Sequence, residues 1–279
     1  EFSAGYQGHF TDGMSRFDST SNPILSLASN AVSSGAKYKS GNWSFGTRAF
    51  SGNITDESLL QNDPTVSNQY QPATLGLIQG AESIVTWGNN KFAISSSIGT
   101  AHESNTILGA QTSGLLDMGQ GDTIYLDNIL SYSPGQDVKF SLRSTFANTT
   151  TKPTGEYILG MSDIKSNAFS VDAQMGSFSF AVAMPLAITS GNMKYAYADY
   201  ESVENADGNF DLVVKDTHIE DLALSPEKRE VRLSGAYRVK LGAFTDGAFG
   251  MIYRINPNNI SEFGNESIFM MKFSHKLGI

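Results

Sequence analysis

The sequence predicts an all-β protein, a closed antiparallel transmembrane β-barrel, on three observations. Apolar residues recur with period two along much of the chain, which is the signature of strands. The alternating stretches run 9 to 13 residues; strands in soluble sheets average about 5–6, whereas a strand tilted across a bilayer needs about 9–11. Short turn signals alternate with long polar stretches, the arrangement of a barrel with tight turns on one side and loops on the other.

In chain order, 24–38 is ambiguous. Its Leu25-Ser26-Leu27-Ala28-Ser29-Asn30-Ala31 run reads either as a strand or as a plug or pore helix. The turn Lys39-Ser40-Gly41-Asn42 leads into a strand at 42–51, and Gly88-Asn89-Asn90 separates strands at 74–87 and 91–103. A strand at 112–133 meets the turn Pro134-Gly135-Gln136-Asp137. The strand at 137–149 sets Val138, Phe140, Leu142 and Phe146 against Lys139, Ser141, Arg143 and Thr145. Strands follow at 156–174 and 176–189, the latter with Phe178, Phe180, Val182, Met184, Leu186 and Ile188 on one face and Ser and Ala on the other. Strands at 192–201 and 211–224 flank a polar loop, and 229–242, 244–256 and 267–279 complete the set. That is thirteen, and bacterial single-chain barrels carry an even number. The expectation is therefore twelve strands, or fourteen if 2–10 is also a strand. The domain reading is an N-terminal segment at 1–23 (linker, pore segment or extra strand) followed by a barrel at 24–279.

Composition agrees. The 279 residues are 17% charged, 40% hydrophobic and carry 27 glycines, against about 25% charged in ordinary soluble domains. The polar faces are built from Ser, Ala, Gly and Thr, which suit a concave interior where side chains converge. No apolar run exceeds nine residues, at 180–188, so no helix of the required ~20 apolar residues is encoded. A mean hydropathy of -0.21 does not exclude a β-barrel, because lipid-facing and interior residues alternate. The first residues, Glu1-Phe2-Ser3-Ala4-Gly5, lack the basic and apolar regions of a signal peptide, so a leader has been removed or the chain is part of something longer. There are no cysteines and four histidines, which removes disulfides, thiolate nucleophiles and Cys-based zinc sites. A net charge of -9 argues against a nucleic-acid partner, which calls for a basic patch.

From Ala181 onward the residues resemble a known family. They are Met184-Pro185-Leu186 leading to Ser190-Gly191, and Leu222-Ala223-Leu224-Ser225-Pro226-Glu227-Lys228-Arg229-Glu230-Val231. After these come Ala236-Tyr237-Arg238, Gly250-Met251-Ile252-Tyr253-Arg254 and a final strand. This resembles the C-terminal translocator of bacterial autotransporters, most similar to those that follow subtilisin-like protease passengers. The resemblance implies an outer-membrane barrel in a Gram-negative bacterium that anchors and exports its own N-terminal passenger. It implies the barrel-assembly machinery, membrane lipid and lipopolysaccharide as partners, and no cofactor. The family usually ends in an aromatic residue, and this chain ends in Ile279. By the resemblance, the insertion signal is the outward row Phe269, Met271, Phe273, Leu277 and Ile279.

No catalytic motif accompanies these residues. There is no Gly-Thr-Ser-Met-Ala string, no nucleophile elbow and no phosphate loop, so neither an enzyme nor a metal site is expected. Asn205-x-Asp207-Gly208-Asn209-x-Asp211 reads as a polar hairpin loop or a weak cation site, its glycine being misplaced for an EF-hand. Residues 227–279 hold eight basic and five acidic groups, leaving 11 basic and 23 acidic in the rest. Parity puts Arg48, Lys139, Arg143, Arg232, Arg238, Lys240, Arg254, Lys272 and Lys276 on the small-residue face, toward the lumen. A lipid-facing charge would cost ~2–4 kcal/mol at the midplane. Trp43, Trp87, Tyr132, Tyr237 and Tyr253 are expected in girdles at the two interfaces. The competing functions are a stand-alone porin-like channel and a soluble β-rich adhesin or binding module.

Overall fold

The computed structural model describes residues 2–7, 22–55, 74–110 and 116–275, apart from positions 206, 208, 241, 243, 244, 261 and 263. The chain is all-β, with no α-helix among the described residues. The described residues form fifteen strands: β1 (Phe2–Gln7), β2 (Ser29–Ser40), β3 (Trp43–Thr55), β4 (Thr74–Gly88), β5 (Phe92–Ser104), β6 (Gln120–Gly135), β7 (Val138–Lys152), β8 (Ile158–Met161), β9 (Ile164–Met175), β10 (Phe178–Ser190), β11 (Asn192–Glu204), β12 (Phe210–Ala223), β13 (Val231–Lys240), β14 (Thr245–Ile255) and β15 (Glu266–His275). Twelve of them make one antiparallel sheet in the order β1-β2-β3-β4-β5-β6-β7-β9-β10-β13-β14-β15. The remaining three form a separate sheet, β12-β11-β8.

The number twelve coincides with expectation, but the membership differs. Residues 192–201 and 211–224 were expected within the barrel. They pair instead with each other, and β11 pairs with β8. The reason is chemical. Residues 192–223 hold eight acidic groups and two lysines, and carboxylates occur at both parities, so neither face matches the neutral faces of the main sheet. β10 already has its second neighbour in β13, from Phe178↔Tyr237 to Ala183↔Arg232. Two strands taken from the ambiguous N-terminal region fill the sheet. Phe2–Gln7 pairs with β2, and 24–38 resolves into a 3-10 turn at Leu25–Leu27 followed by β2. The expected strand 112–133 begins only at Gln120, and 156–174 divides into β8 and β9. Among the described residues β1 and β15 are the two edges of the sheet, and no pairing joins them.

Tight connections join β2 to β3, β4 to β5, β6 to β7 and β9 to β10 at one end of the strands; the longer connections lie at the other. Register places β1 and β15 with Phe2 and His275 both at the tight-turn end.

The sheet has two unlike faces. The open face carries large apolar side chains in rows that cross several strands. Phe92, Tyr132 and Phe140 are cross-strand partners, as are Leu142, Val171, Val182 and Leu233. All are exposed, and Phe269 is 75% exposed. The packed face carries Ser, Thr, Ala, Gly and paired charges, with Thr145, Thr149 and Glu103 fully buried. Small residues are required there. Tyr125 lies across Gly99, where a Cβ would come within 2.4 Å of its ring. Gly99→Val is expected to destabilise the protein by about 1–3 kcal/mol, read from the urea midpoint. Thr100→Val, next in sequence but on the open face, is expected to shift stability by less than ~0.5 kcal/mol.

Candidate functional site: the packed face and the segment laid across it

The segment Asn22 to Ala28 lies on the packed face. Asn22 Oδ1 accepts the Ile24 N–H at 2.9 Å, and Ser26 Oγ donates to the Pro23 carbonyl at 2.7 Å. These local bonds make a turn without a strand partner. Ile24, Leu25 and Ala28 are buried against Phe50 and Ile54 of β3, Ile78 of β4, Ala101 of β5, Tyr125 of β6 and Ala147 of β7. Leu186 of β10 packs on the same cluster. Strands β3 to β7 and β10 thus meet around one short segment. Burying Ile24 and Leu25 contributes roughly 1.5–3 kcal/mol each.

Four buried carboxylates organise the rest of this face. Glu82, 4% exposed, accepts from Arg48 Nε at 3.0 Å and Nη2 at 2.5 Å, from the Tyr125 hydroxyl at 3.0 Å and from Asn22 Nδ2 at 3.4 Å. It therefore ties the segment to β3, β4 and β6. Asp127 accepts from Arg143 Nε at 2.8 Å and Nη2 at 2.6 Å, and from Thr145 Oγ1 at 2.6 Å. Glu103 accepts from Thr106 Oγ1 at 3.0 Å and from the N–H groups of Leu108 at 2.9 Å and Gly109 at 2.8 Å, which closes the turn after β5. Glu230 accepts from Arg232 Nη2 at 3.0 Å, Arg254 Nε at 2.8 Å and Nη2 at 2.9 Å, and the Asn258 N–H at 2.8 Å. Arg254 Nη1 also donates to Glu266 at 2.6 Å. Beside it, Arg229 Nη2 donates to the carbonyls of Asn167 and Pro185, each at 2.9 Å, and Nη1 donates to Asn167 Oδ1.

The cations expected on one face divide into two groups. Arg48, Arg143, Arg232 and Arg254 are on the packed face, each bonded to a carboxylate. Lys139, Arg238 and Lys240 share that parity, lie toward the tight-turn end and are exposed. Register gives Lys272 the same parity, opposite Ala248; Lys276 lies outside the described residues. Glu82, Asp127, Glu103 and Glu230 were not singled out by sequence reasoning. Parity places Glu82 on the small-residue face, but its pairing with Arg48 depends on the register of β3 with β4, which alternation does not give.

In the terminal row, Phe269 and Met271 stand on the open face, and Phe273 pairs with Gly247 in the same parity. Leu277 and Ile279 lie outside the described residues. Of the aromatic set, Trp43, Trp87, Tyr132 and Tyr237 all sit near the tight-turn end, with Trp43 and Trp87 directly opposed. Tyr253 lies toward the other end, its hydroxyl accepting from Asn265 Nδ2 at 2.8 Å. In the polar loop, Asn205 Oδ1 accepts the N–H groups of Asp207 and Asn209, at 3.1 and 3.0 Å. Among the described residues no three His, Asp or Glu side chains are grouped to hold a metal ion.

No protein-family model matches this sequence, and no curated protein does.

Burial pushes the Glu230 carboxyl upward, but the Arg254 hydrogen bond, the Arg232 charge and the Asn258 N–H outweigh it and hold the group below the usual carboxylate range. A depressed carboxyl contributes stability above its unfolded pKa of about 4.3, and that contribution is lost as pH falls through the folded value. Denaturant titrations between neutral and strongly acidic pH should show the wild type losing stability in that window. Glu230→Gln should be less stable at neutral pH and show a shallower acid dependence.

Proposed function

We propose that this chain is an outer-membrane β-barrel, closed by pairing of β15 with β1, and that it serves as the translocator of an autotransporter. One observation carries the membrane reading: polarity is inverted relative to a water-soluble sheet. Large apolar side chains line the open face, while ion pairs and hydroxyls line the packed one. A lipid-facing band outside and a polar interior have this arrangement. Two arguments support closure. Open edges in hydrocarbon leave backbone groups unsatisfied at several kcal/mol each. β1 and β15 run antiparallel, their outer ends at the same end of the sheet, so their pairing continues the ladder.

On this reading the packed face is the lumen wall, and Asn22 to Ala28 is an inserted plug. The tight turns face the periplasm and the longer connections the exterior. Phe269, Met271 and Phe273 form the row read by the barrel-assembly machinery. The translocator role is supported by the resemblance of 184–254 to autotransporter barrels. A passenger joined ahead of Phe2 would meet the barrel at its tight-turn end and reach the exterior through the lumen.

Two measurements test these steps separately. Val171 is exposed on the open face among Leu142 and Val182. In a bilayer Val171→Arg should cost about 2–4 kcal/mol; in a water-soluble sheet it would shift stability by no more than ~0.5 kcal/mol. Gln174→Arg, on the packed face, should be tolerated. The readout is unfolding in lipid vesicles, with heat-dependent gel migration as the sign of a folded barrel. For the role, a secreted reporter fused ahead of Glu1 should become accessible to external protease on Gram-negative cells. A reporter retained in the periplasm above a correctly inserted barrel would replace the translocator with a stand-alone channel.

A further inference from the structure

The hairpin of β11 and β12 presents a surface that the translocator reading does not use. Its strands have two distinct faces. Leu212, Val214, Ile219 and Tyr200 stand with Phe210 on one face, and all are exposed, Leu212 at 75% and Phe210 at 69%. The other face holds Asp211, Asp216 and Glu220 of β12, interspersed with Val213, His218 and Leu222, while Asp221 lies on the apolar side opposite Lys194. Glu220 accepts the hydroxyls of both Tyr195 and Tyr197 at 3.0 Å, which fixes the carboxylate on that side.

β12 is also an edge. It is 14 residues long, pairs with β11 on one side, and has no strand on the other among the described residues. Natural edges are usually blunted by charge, proline, bulges or shortness. β12 has no proline and is long; its charges and the bulge at Lys215 leave two regular runs, 210–214 and 216–223, each able to pair with an incoming strand of complementary charge.

We propose that β12 is a docking edge for an extended segment of a partner protein in which basic and apolar residues alternate. The segment would add as a fourth strand through backbone hydrogen bonds. Its sequence pattern follows from cross-strand pairing, because residues directly opposite one another interact. Opposite Asp211, Asp216 and Glu220 the incoming strand needs Lys or Arg. Opposite Phe210, Leu212, Val214 and Ile219 it needs apolar side chains. A second copy of this chain is disfavoured, since each hairpin brings eight acidic residues against two lysines. The inference does not rest on the membrane reading.

The test uses the full folded chain and a fluorescent peptide of repeating Lys-Val. Controls are a peptide of the same composition with its lysines and valines in separate blocks, and a Glu-Val repeat. The Lys-Val repeat should bind, weaken with added salt, and slow hydrogen exchange of β12 amides. Asp211→Lys combined with Asp216→Lys should weaken binding by roughly tenfold or more, with the exchange protection of the β3 to β7 amides unchanged. Block and alternating peptides that bind equally well would overturn the strand-addition claim. So would slowed exchange outside β12, or self-association of the chain that protects the same amides without peptide.

Discussion

A carboxylate can leave water only where donors surround it, because an uncompensated buried charge costs several kcal/mol. The packed face is organised by that constraint. Glu82, Glu103, Asp127 and Glu230 are each nearly inaccessible, and each is surrounded by donors, which for Glu82, Asp127 and Glu230 come from other strands or connections. Glu82 collects Arg48, Tyr125 and Asn22, so one side chain determines where the inserted segment lies. Glu103 draws in the backbone of the turn that follows it. Glu230 gathers two arginines and the Asn258 N–H, in a connection where Asn256, Asn258 and Asn259 all adopt left-handed conformations. The apolar cluster around Ile24 and Leu25 is small by comparison. Apolar burial supplies part of the cohesion, and satisfied charge supplies the geometry.

Much of the strand content was legible because alternation is a local property. The faces of β7, β10, β13 and β14 follow directly from side chains two residues apart. Partner choice is not local. Whether a strand enters the main sheet depends on which edge is free when it arrives, and β11 and β12 alternate well enough to look like sheet members. Their charge at both parities was the overlooked signal. β1 offered little to read, since Ser3, Ala4 and Gly5 give a weak pattern. The site was half legible in the same sense. Parity assigns Arg48 and Arg143 to one face, but their carboxylate partners emerge only from register. Arg48 meets Glu82 across two strands joined by a long connection.

The stretch from Leu224 to Glu230 occupies a mechanical junction. Here the chain returns from the hairpin to the main sheet. Arg229 reaches back to carbonyls of β9 and β10, while the next residue, Glu230, engages β13 and β14. Two adjacent residues of opposite charge thus pin the returning chain on both sides. An arginine suits the first position because its planar fork can serve several acceptors at once.

The detour from Ser190 to Val231 has a consequence for how the architecture can vary. β10 and β13 are direct neighbours, so the backbone ladder of the main sheet is complete without anything between them. Among the described residues β8 is the only other element that touches the detour through strand pairing. Such a place is where a domain accepts insertion or exchange of sequence at little cost to its folding. The hairpin lies outside the ladder of the main sheet and is joined to it through β8. Its length and chemistry are free to drift with whatever it meets, while the sheet beneath keeps its register.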